Sequence, residues 1–295
     1  MNGKNAIGIF IVETPVHCGT GQDVGIVDQP IQRERYTGYP RIQGSEIKGV
    51  FRQYCKGENE DEIFGPRKSG DEGGDYASAV SFGDARVLFF PVKSLKGTYV
   101  WITSKDVLYK FSRTLKLVNV NKINVPDIVP SDDEHIIVYS DSIVVNDAAN
   151  DKVVLEEYIF KKQNGTANEF DSIINAIVPN STNEYKYLRE SLKKKVCIVP
   201  TDIFREFTEM STEVITRIKI NDKTGVAAPG ALWTEEYLPT DTIMYFPVFA
   251  NETKNTGSKL NAGTVINKIK TLNSYIQIGG NETVGKGFVK INWLE

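Results

Sequence analysis

Between His17 and Arg52 the chain gathers residue types that can act on a phosphodiester: one imidazole, an isolated carboxylate at Asp28, and the cations Arg33, Arg35, Arg41, Lys48 and Arg52. An imidazole titrates near about 6.5 and exchanges a proton at neutral pH. An ordinary aspartate, at about 3.9, is charged there and is a poor base. The guanidinium groups, with Gln29 and Gln32, set many donors near Asp28, which suits a polyanion threaded past a carboxylate. Each residue also has a plainer role open to it. Asp28 can form a turn, His17 can satisfy a backbone carbonyl, and the cations can be a solvated face.

These residues need elements to hold them. The apolar, branched run over residues 6–15 predicts a central strand, and Gly19-Thr20-Gly21 ends it near His17. Pro30 biases Gln29 away from helix, so Asp28 is expected on an extended, flexible loop. Gln43-Gly44-Ser45 reads as a tight turn with Ser45 as N-cap of a helix to about residue 56, carrying Lys48 and Arg52. Amides at such a helix start bind phosphate. The acidic, glycine-rich residues 57–76 predict a mobile surface insertion.

Strands are expected over 79–88 and 89–101 around a Pro91–Gly97 turn, then a helix over 104–118 capped by Ser104. A meander of three short strands over 136–160 follows, with helices over 169–177 and 183–194, a strand over 196–200, and a helix capped by Asp202. Residues 213–220 and 231–238 alternate around a turn at 221–225, the pattern of a long protruding hairpin. A strand over 240–248, a helix over 259–272 and strands over 275–278 and 288–293 close the sheet. Between the last two strands, four glycines fall within nine positions from Gly279 to Gly287. Phe204, Phe207 and Trp233 read as core, and the Lys193-Lys194-Lys195 run as a helix end whose cations suit the dipole.

Several of these stretches, in order, resemble the backbone nuclease subunits of the type III-B CRISPR effector, the Cmr complex, within the RAMP superfamily. The matching residues are Pro15-Val16-His17, the loop from Gly25 to Glu34, Thr37-Gly38-Tyr39-Pro40, Gly44-Ser45 with Lys48-Gly49, and the glycine loop from Gly279 to Gly287. The resemblance runs from about residue 7 to 293. It implies an α+β fold: one RRM-like (ferredoxin-like) palm over residues 1–295, with inserted finger elements and a thumb hairpin at 212–241. It implies a repeated subunit that binds guide RNA, associates head to tail with its own copies and with other Cmr subunits, and cuts complementary target RNA at regular intervals.

In that family the aspartate of the Val-Asp-Gln-Pro loop carries cleavage, and Asp28 is the matching residue. Asp28 is then expected to hold or position Mg2+, with His17 moving the proton. An acid on the thumb hairpin approaches the cut site, which leaves Glu235 and Glu236 as alternatives, of which only one can face the RNA. Guide-phosphate contact is expected from Arg33, Arg35, Arg41, Gly44, Ser45, Lys48 and Arg52, and from Gly279, Gly280 and Lys286. A guide-binding scaffold that does not cut is the competing reading.

Composition sets outer limits. The 295 residues, 40% hydrophobic and 25% charged, can bury a sizeable core. A net charge of -3 confines any RNA site to a local patch. Cys18, Cys55 and Cys197 are too dispersed for a zinc module and argue for a reducing, cytoplasmic setting. No apolar run reaches the ~18 residues of a membrane span.

Overall fold

The computed structural model describes residues 3–22, 25–57, 59–67, 76–139, 142–144, 151–164, 170–178, 183–254, 259–272 and 274–294. In chain order its elements are β1 (Lys4–Val12), β2 (Arg41–Ile42), α1 (Gly44–Tyr54), α2 (Glu60–Phe64), β3 (Val80–Phe82), β4 (Ala85–Lys93), β5 (Tyr99–Thr103) and α3 (Lys105–Leu117). They continue with β6 (His135–Val138), β7 (Lys152–Leu155), β8 (Tyr158–Asn164), α4 (Asp171–Ile177), α5 (Glu184–Lys195), β9 (Val196–Ile198) and α6 (Thr201–Met210). The C-terminal part holds β10 (Glu213–Ile220), β11 (Ala227–Tyr237), β12 (Ile243–Ala250), α7 (Ala262–Lys270), β13 (Tyr275–Gln277) and β14 (Phe288–Leu294).

The palm is legible in the strand order. β14, β1, β12 and β4 lie side by side and antiparallel. With α1 following β1 and α7 following β12, this is the βαββαβ connection of a ferredoxin-like core, whose spatial order is fourth, first, third, second strand. Apolar continuity explains it: β1 is buried over its last seven residues, as expected of a central strand. Phe10 lies 4.4 Å from Phe246 of β12, ring centre to ring centre, and Phe51 of α1 packs 5.0 Å from Phe82 and 6.0 Å from Trp293. Each such ring contributes about 1.5–3 kcal/mol by burial. Beyond β4 the sheet extends through β5, β9, β6, β8 and β7.

Several boundaries differ from expectation for local reasons. Pro91 is inside β4, paired with Trp101, because its buried neighbours Phe89, Phe90 and Val92 carry the strand onward. The turn falls at Gly97 and Thr98, both at positive φ. Residues 136–160 are not a meander. A tight turn at Glu156, φ +48, folds 152–164 into the β7–β8 hairpin, and β6 joins β8 in parallel. Residues 142–144 form no strand. The expected surface insertion at 57–76 contains α2, whose Ile63 and Phe64 are buried, with Phe64 stacked on Phe82; residues 68–75 lie outside the described residues. Asp202 is in the first turn of α6 but makes no capping bond, and Pro200 holds the cap position. Ser104 caps α3 as expected, accepting from the amide of Val107.

β10 and β11 form a separate two-stranded ribbon, the hairpin. Its outer face carries Val214, Ile218, Ile220 and Leu232, each more than half exposed. Among the described residues no helix is long and apolar enough to cross a membrane.

Candidate active site

Three consecutive residues of β11, Thr234, Glu235 and Glu236, gather the catalytic candidates around them. The loop carrying Asp28 lies alongside β11 in parallel: the amide of Gln29 donates to the Thr234 carbonyl at 3.0 Å, and the Glu236 amide donates to the Gln29 carbonyl at 3.0 Å. Beyond it, Val16 and Leu238 exchange amide-to-carbonyl bonds at 3.0 and 2.8 Å. The end of β1 and the Asp28 loop are thus both fastened to the base of the hairpin.

Asp28 is exposed but not loose. Its Oδ2 accepts from the Thr234 amide at 2.7 Å and the Thr234 hydroxyl at 2.9 Å, while its own amide donates to that hydroxyl oxygen at 3.0 Å. The flexible loop expected from sequence is anchored here by a strand that lies some two hundred residues away in the chain. The Thr234 amide, then its hydroxyl, hold the Asp28 carboxyl below its ordinary pKa. Asp28 is an anion at neutral pH.

His17 is nearly buried and its Nδ1 lies 2.7 Å from the Glu236 carbonyl oxygen. A carbonyl only accepts, so Nδ1 carries the hydrogen and the neutral ring keeps its lone pair on Nε2. Gly19 passes this nitrogen so closely that a Cβ there would sit 2.7 Å from it.

The two glutamates separate cleanly. Glu236 is buried: it accepts from the Ile31 amide at 3.0 Å, from Thr212 Oγ1 at 2.7 Å, and from the Arg33 guanidinium. Glu235, also buried, accepts from Trp233 Nε1 at 2.7 Å, Asn281 Nδ2 at 2.8 Å and the Tyr237 hydroxyl, with Arg217 at 3.4 Å. Burial pushes the Glu235 carboxyl up, but the Tyr237 and Trp233 bonds and the Arg217 charge outweigh it, leaving a net lowered pKa. Glu235 therefore sits on the His17 side and Glu236 on the Arg33 side of the ribbon, and neither is an open surface acid.

The cations divide in the same way. Arg33 is held by Glu236 and by the carbonyls of Gly38 and Thr208, Arg41 by Asp84, and Arg52 by Glu60 and Asp61. Arg35 is exposed with no ion-pair partner among the described residues. Lys48 is half-buried, and burial, then the nearby Arg52, lower its pKa. Ser45 is not the helix cap. α1 begins at Gly44, Gln43 holds the cap position, and the Gly44 amide donates to Asp84 Oδ1 at 2.9 Å. A carboxylate from across the fold thus occupies one of the amides expected to receive phosphate.

In the glycine loop, the Gly280 amide donates to the His17 carbonyl at 2.9 Å, and Gly279, at φ +83, passes so near that a Cβ would lie 2.5 Å from that oxygen. The loop delivers Asn281 to Glu235 and sets Lys286 Nζ 5.0 Å from the Tyr237 ring centre. Thr234 and Asn281, not singled out from sequence, are the residues that hold the two acids. Threonine and asparagine in β and turn positions carry no signal of their own.

Among the described residues no group of three or more His, Cys, Asp or Glu side chains could hold a metal ion. With Oδ2 already bonded to Thr234, Asp28 offers one carboxylate. That donor set fits a hard cation shared with substrate phosphates rather than a protein-only cage.

The RAMP superfamily family model matches residues 10–290. The CRISPR system Cmr endoribonuclease Cmr4 of Pyrococcus furiosus is 39% identical, over 98% of this chain and 95% of its own length. The CMR subunit Cmr4 of Saccharolobus solfataricus is 28% identical, over 95% and 94%. The crystal structure of oligomeric Cmr4 from P. furiosus superposes with a TM-score of 0.72, at 35% identity over 99% of this chain and 98% of that one. A chain of the type III-B Cmr-beta complex bound to cognate target RNA shares the fold, with a TM-score of 0.73 at 21% identity over 98% and 96%. Since the family model and the Pyrococcus relative both run almost end to end, the chain belongs to the RAMP superfamily, in its Cmr4 family of type III-B Cmr subunits.

Proposed function

We propose that this chain is the repeated backbone subunit of a type III-B CRISPR complex in the cytoplasm, binding guide RNA and cleaving complementary target RNA at regular intervals, with Asp28 at each cut. The observation that carries the reading is an exposed, ionised carboxylate fastened to the base of a protruding hairpin. The relatives' names, an endoribonuclease and an oligomeric subunit, support the activity and the head-to-tail assembly with copies of itself and other Cmr subunits. Three free cysteines accord with a reducing compartment.

In this reading Asp28 acts as an anion, not as the base. The RNA 2'-hydroxyl attacks the neighbouring phosphate in line, closing a 2',3'-cyclic phosphate as the bond to the 5'-oxygen breaks; His17, with its lone pair on Nε2, takes the hydroxyl proton, and solvent water protonates the departing 5'-oxygen. A divalent cation such as Mg2+, with Asp28 as its protein ligand, would neutralise charge on the scissile phosphate. Glu235, bonded to Trp233, Tyr237 and Asn281, ties the glycine loop to the base of the hairpin. Arg35, Lys48 and Lys286 are the cations with most freedom to meet guide phosphates.

That His17, Glu235 and Glu236 are all engaged internally favours the second reading, a scaffold that orders guide RNA without cutting. End-labelled complementary RNA incubated with the assembled complex and Mg2+ decides between them. A ladder of evenly spaced products from the wild type, lost in Asp28→Asn with target binding kept, is expected. A wild-type complex that yields no ladder establishes the scaffold, and an Asp28→Asn complex that still cuts removes Asp28 from the chemistry.

A further inference from the structure

We infer that Thr234 is the positioning residue for Asp28: its hydroxyl and amide set the rotamer of the carboxylate and aim the remaining oxygen at substrate. The inference rests on Asp28 acting in cleavage. The geometry is a two-way clamp. An ionised carboxylate only accepts, so the Thr234 hydroxyl must give its hydrogen to Oδ2 at 2.9 Å. Its oxygen is then free to accept from the Asp28 amide at 3.0 Å, which is the bond found. The Thr234 amide adds a second donor to the same Oδ2 at 2.7 Å.

Every hydrogen bond of the clamp thus falls on the Asp28 amide or on Oδ2, and Oδ1 is the oxygen left to face substrate. Thr234 itself cannot drift. It lies in β11 opposite Thr216 of β10, and its carbonyl accepts from the Gln29 amide on the other edge. A β-branched side chain in a strand has few χ1 options. The residue is therefore a stiff bracket between hairpin and loop, and it links the placement of the acid to the base of the hairpin.

Removing the hydroxyl while keeping the shape isolates this role. Thr234→Val preserves the strand, the amide bond to Oδ2 and the side-chain volume, but deletes one donor to Oδ2 and the acceptor for the Asp28 amide. Misplacement of a reacting group on the ångström scale costs up to ~100-fold. Single-turnover cleavage by the assembled complex should fall about 10–100-fold, with guide loading and target affinity at wild-type levels. Thr234→Ser restores both bonds and should bring the rate back to within a few-fold, which a purely steric role would not predict.

Asp28→Asn is run in parallel to keep the two readings apart. If Asp28→Asn is inactive and Thr234→Val cuts at the wild-type rate, the bracket is overturned while Asp28 stands. If Asp28→Asn cuts normally, the reading beneath falls first. If Thr234→Ser is as slow as Thr234→Val, the methyl rather than the hydroxyl matters, and the inference is overturned.

Discussion

Replacing Glu236 with alanine tests whether this acid is a cleavage residue or the keystone of the hairpin base. The structure gives its side chain three donors: the Ile31 amide, the Thr212 hydroxyl and the Arg33 guanidinium. Truncation strands two neutral donors in a buried site, at about 1–3 kcal/mol each, and leaves a guanidinium without its counter-charge. Breaking a fully buried pair costs about 3–5 kcal/mol. Here the Arg33 side chain is 22% exposed and keeps the Gly38 and Thr208 carbonyls, so its share is smaller. Because the three bonds share one group, their losses do not add, and the total comes to about 3–5 kcal/mol. Urea unfolding of the full chain followed by tryptophan fluorescence should show the unfolding free energy falling by that amount, and the midpoint by that amount divided by the slope, with the slope unchanged. Glu236→Gln keeps acceptor and volume, so it should lose less than half as much and retain cleavage in the assembled complex. A Glu236→Ala chain that unfolds at the wild-type midpoint yet fails to cut would refute the structural assignment and return this residue to the chemistry.

Lys48→Glu should weaken guide RNA binding, with a gap from wild type that narrows as salt rises, in filter binding at two ionic strengths; equal affinities at both would exclude phosphate contact there. Arg52→Ala should instead lower the unfolding midpoint and leave the salt slope alone, since Glu60 and Asp61 already hold that guanidinium. Tyr237→Phe removes a donor that keeps the Glu235 carboxyl below the ordinary ~4.3 of a glutamate, so the folded value rises toward the unfolded one. Stability from a lowered carboxyl is full above the unfolded pKa and lost as pH falls through the folded one, so the acid unfolding limb of the variant should begin at higher pH. Shortening the hairpin by joining Ile218 to Leu232 through Asn-Gly keeps Arg217, Trp233 and Thr234 in place. That chain should assemble on guide RNA and lose cleavage, and regular cutting by it would show the distal hairpin to be dispensable.

What was legible in the sequence follows from how local each signal is. The palm strands β1, β12 and β14, α3 with its Ser104 cap, and the hairpin alternation are written in adjacent residues and are found where the periodicity puts them, whereas β4 runs through the expected turn at Pro91. The cap of α1 was not, because its donor is met by Asp84, forty residues on. Helix α2 escaped because Ile63 and Phe64 are two apolar residues in an acidic, glycine-rich stretch, yet both are buried in the core, with Phe64 against Phe82. At the candidate site, His17, Asp28 and Glu235 could be named, but strand parity alone could not say which glutamate faced which way. That depends on β11 being flanked by β10 on one edge and by the Asp28 loop on the other, a pairing between segments some two hundred residues apart.

The arginines show why charge density in a sequence overstates a nucleic-acid surface. Arg33, Arg41 and Arg52 stand within twenty positions and read as a phosphate-binding strip, yet each already has a carboxylate. A guanidinium so paired has traded its hydration for a fixed partner, and moving it to a phosphate would strand that carboxylate in a site where Glu236, at least, is buried. Counterion release scales with the phosphates a protein neutralises, about 0.9 per contact on duplex and 0.7 on single strands. If only Arg35, Lys48 and Lys286 contribute from these stretches, the salt slope per subunit is about 2 to 3 rather than the roughly 4 to 5 that the full set of six cations would give. A measured slope near the larger figure would mean that RNA breaks the Glu236, Asp84 and Glu60 pairs on binding, and that the hairpin base rearranges when the guide arrives.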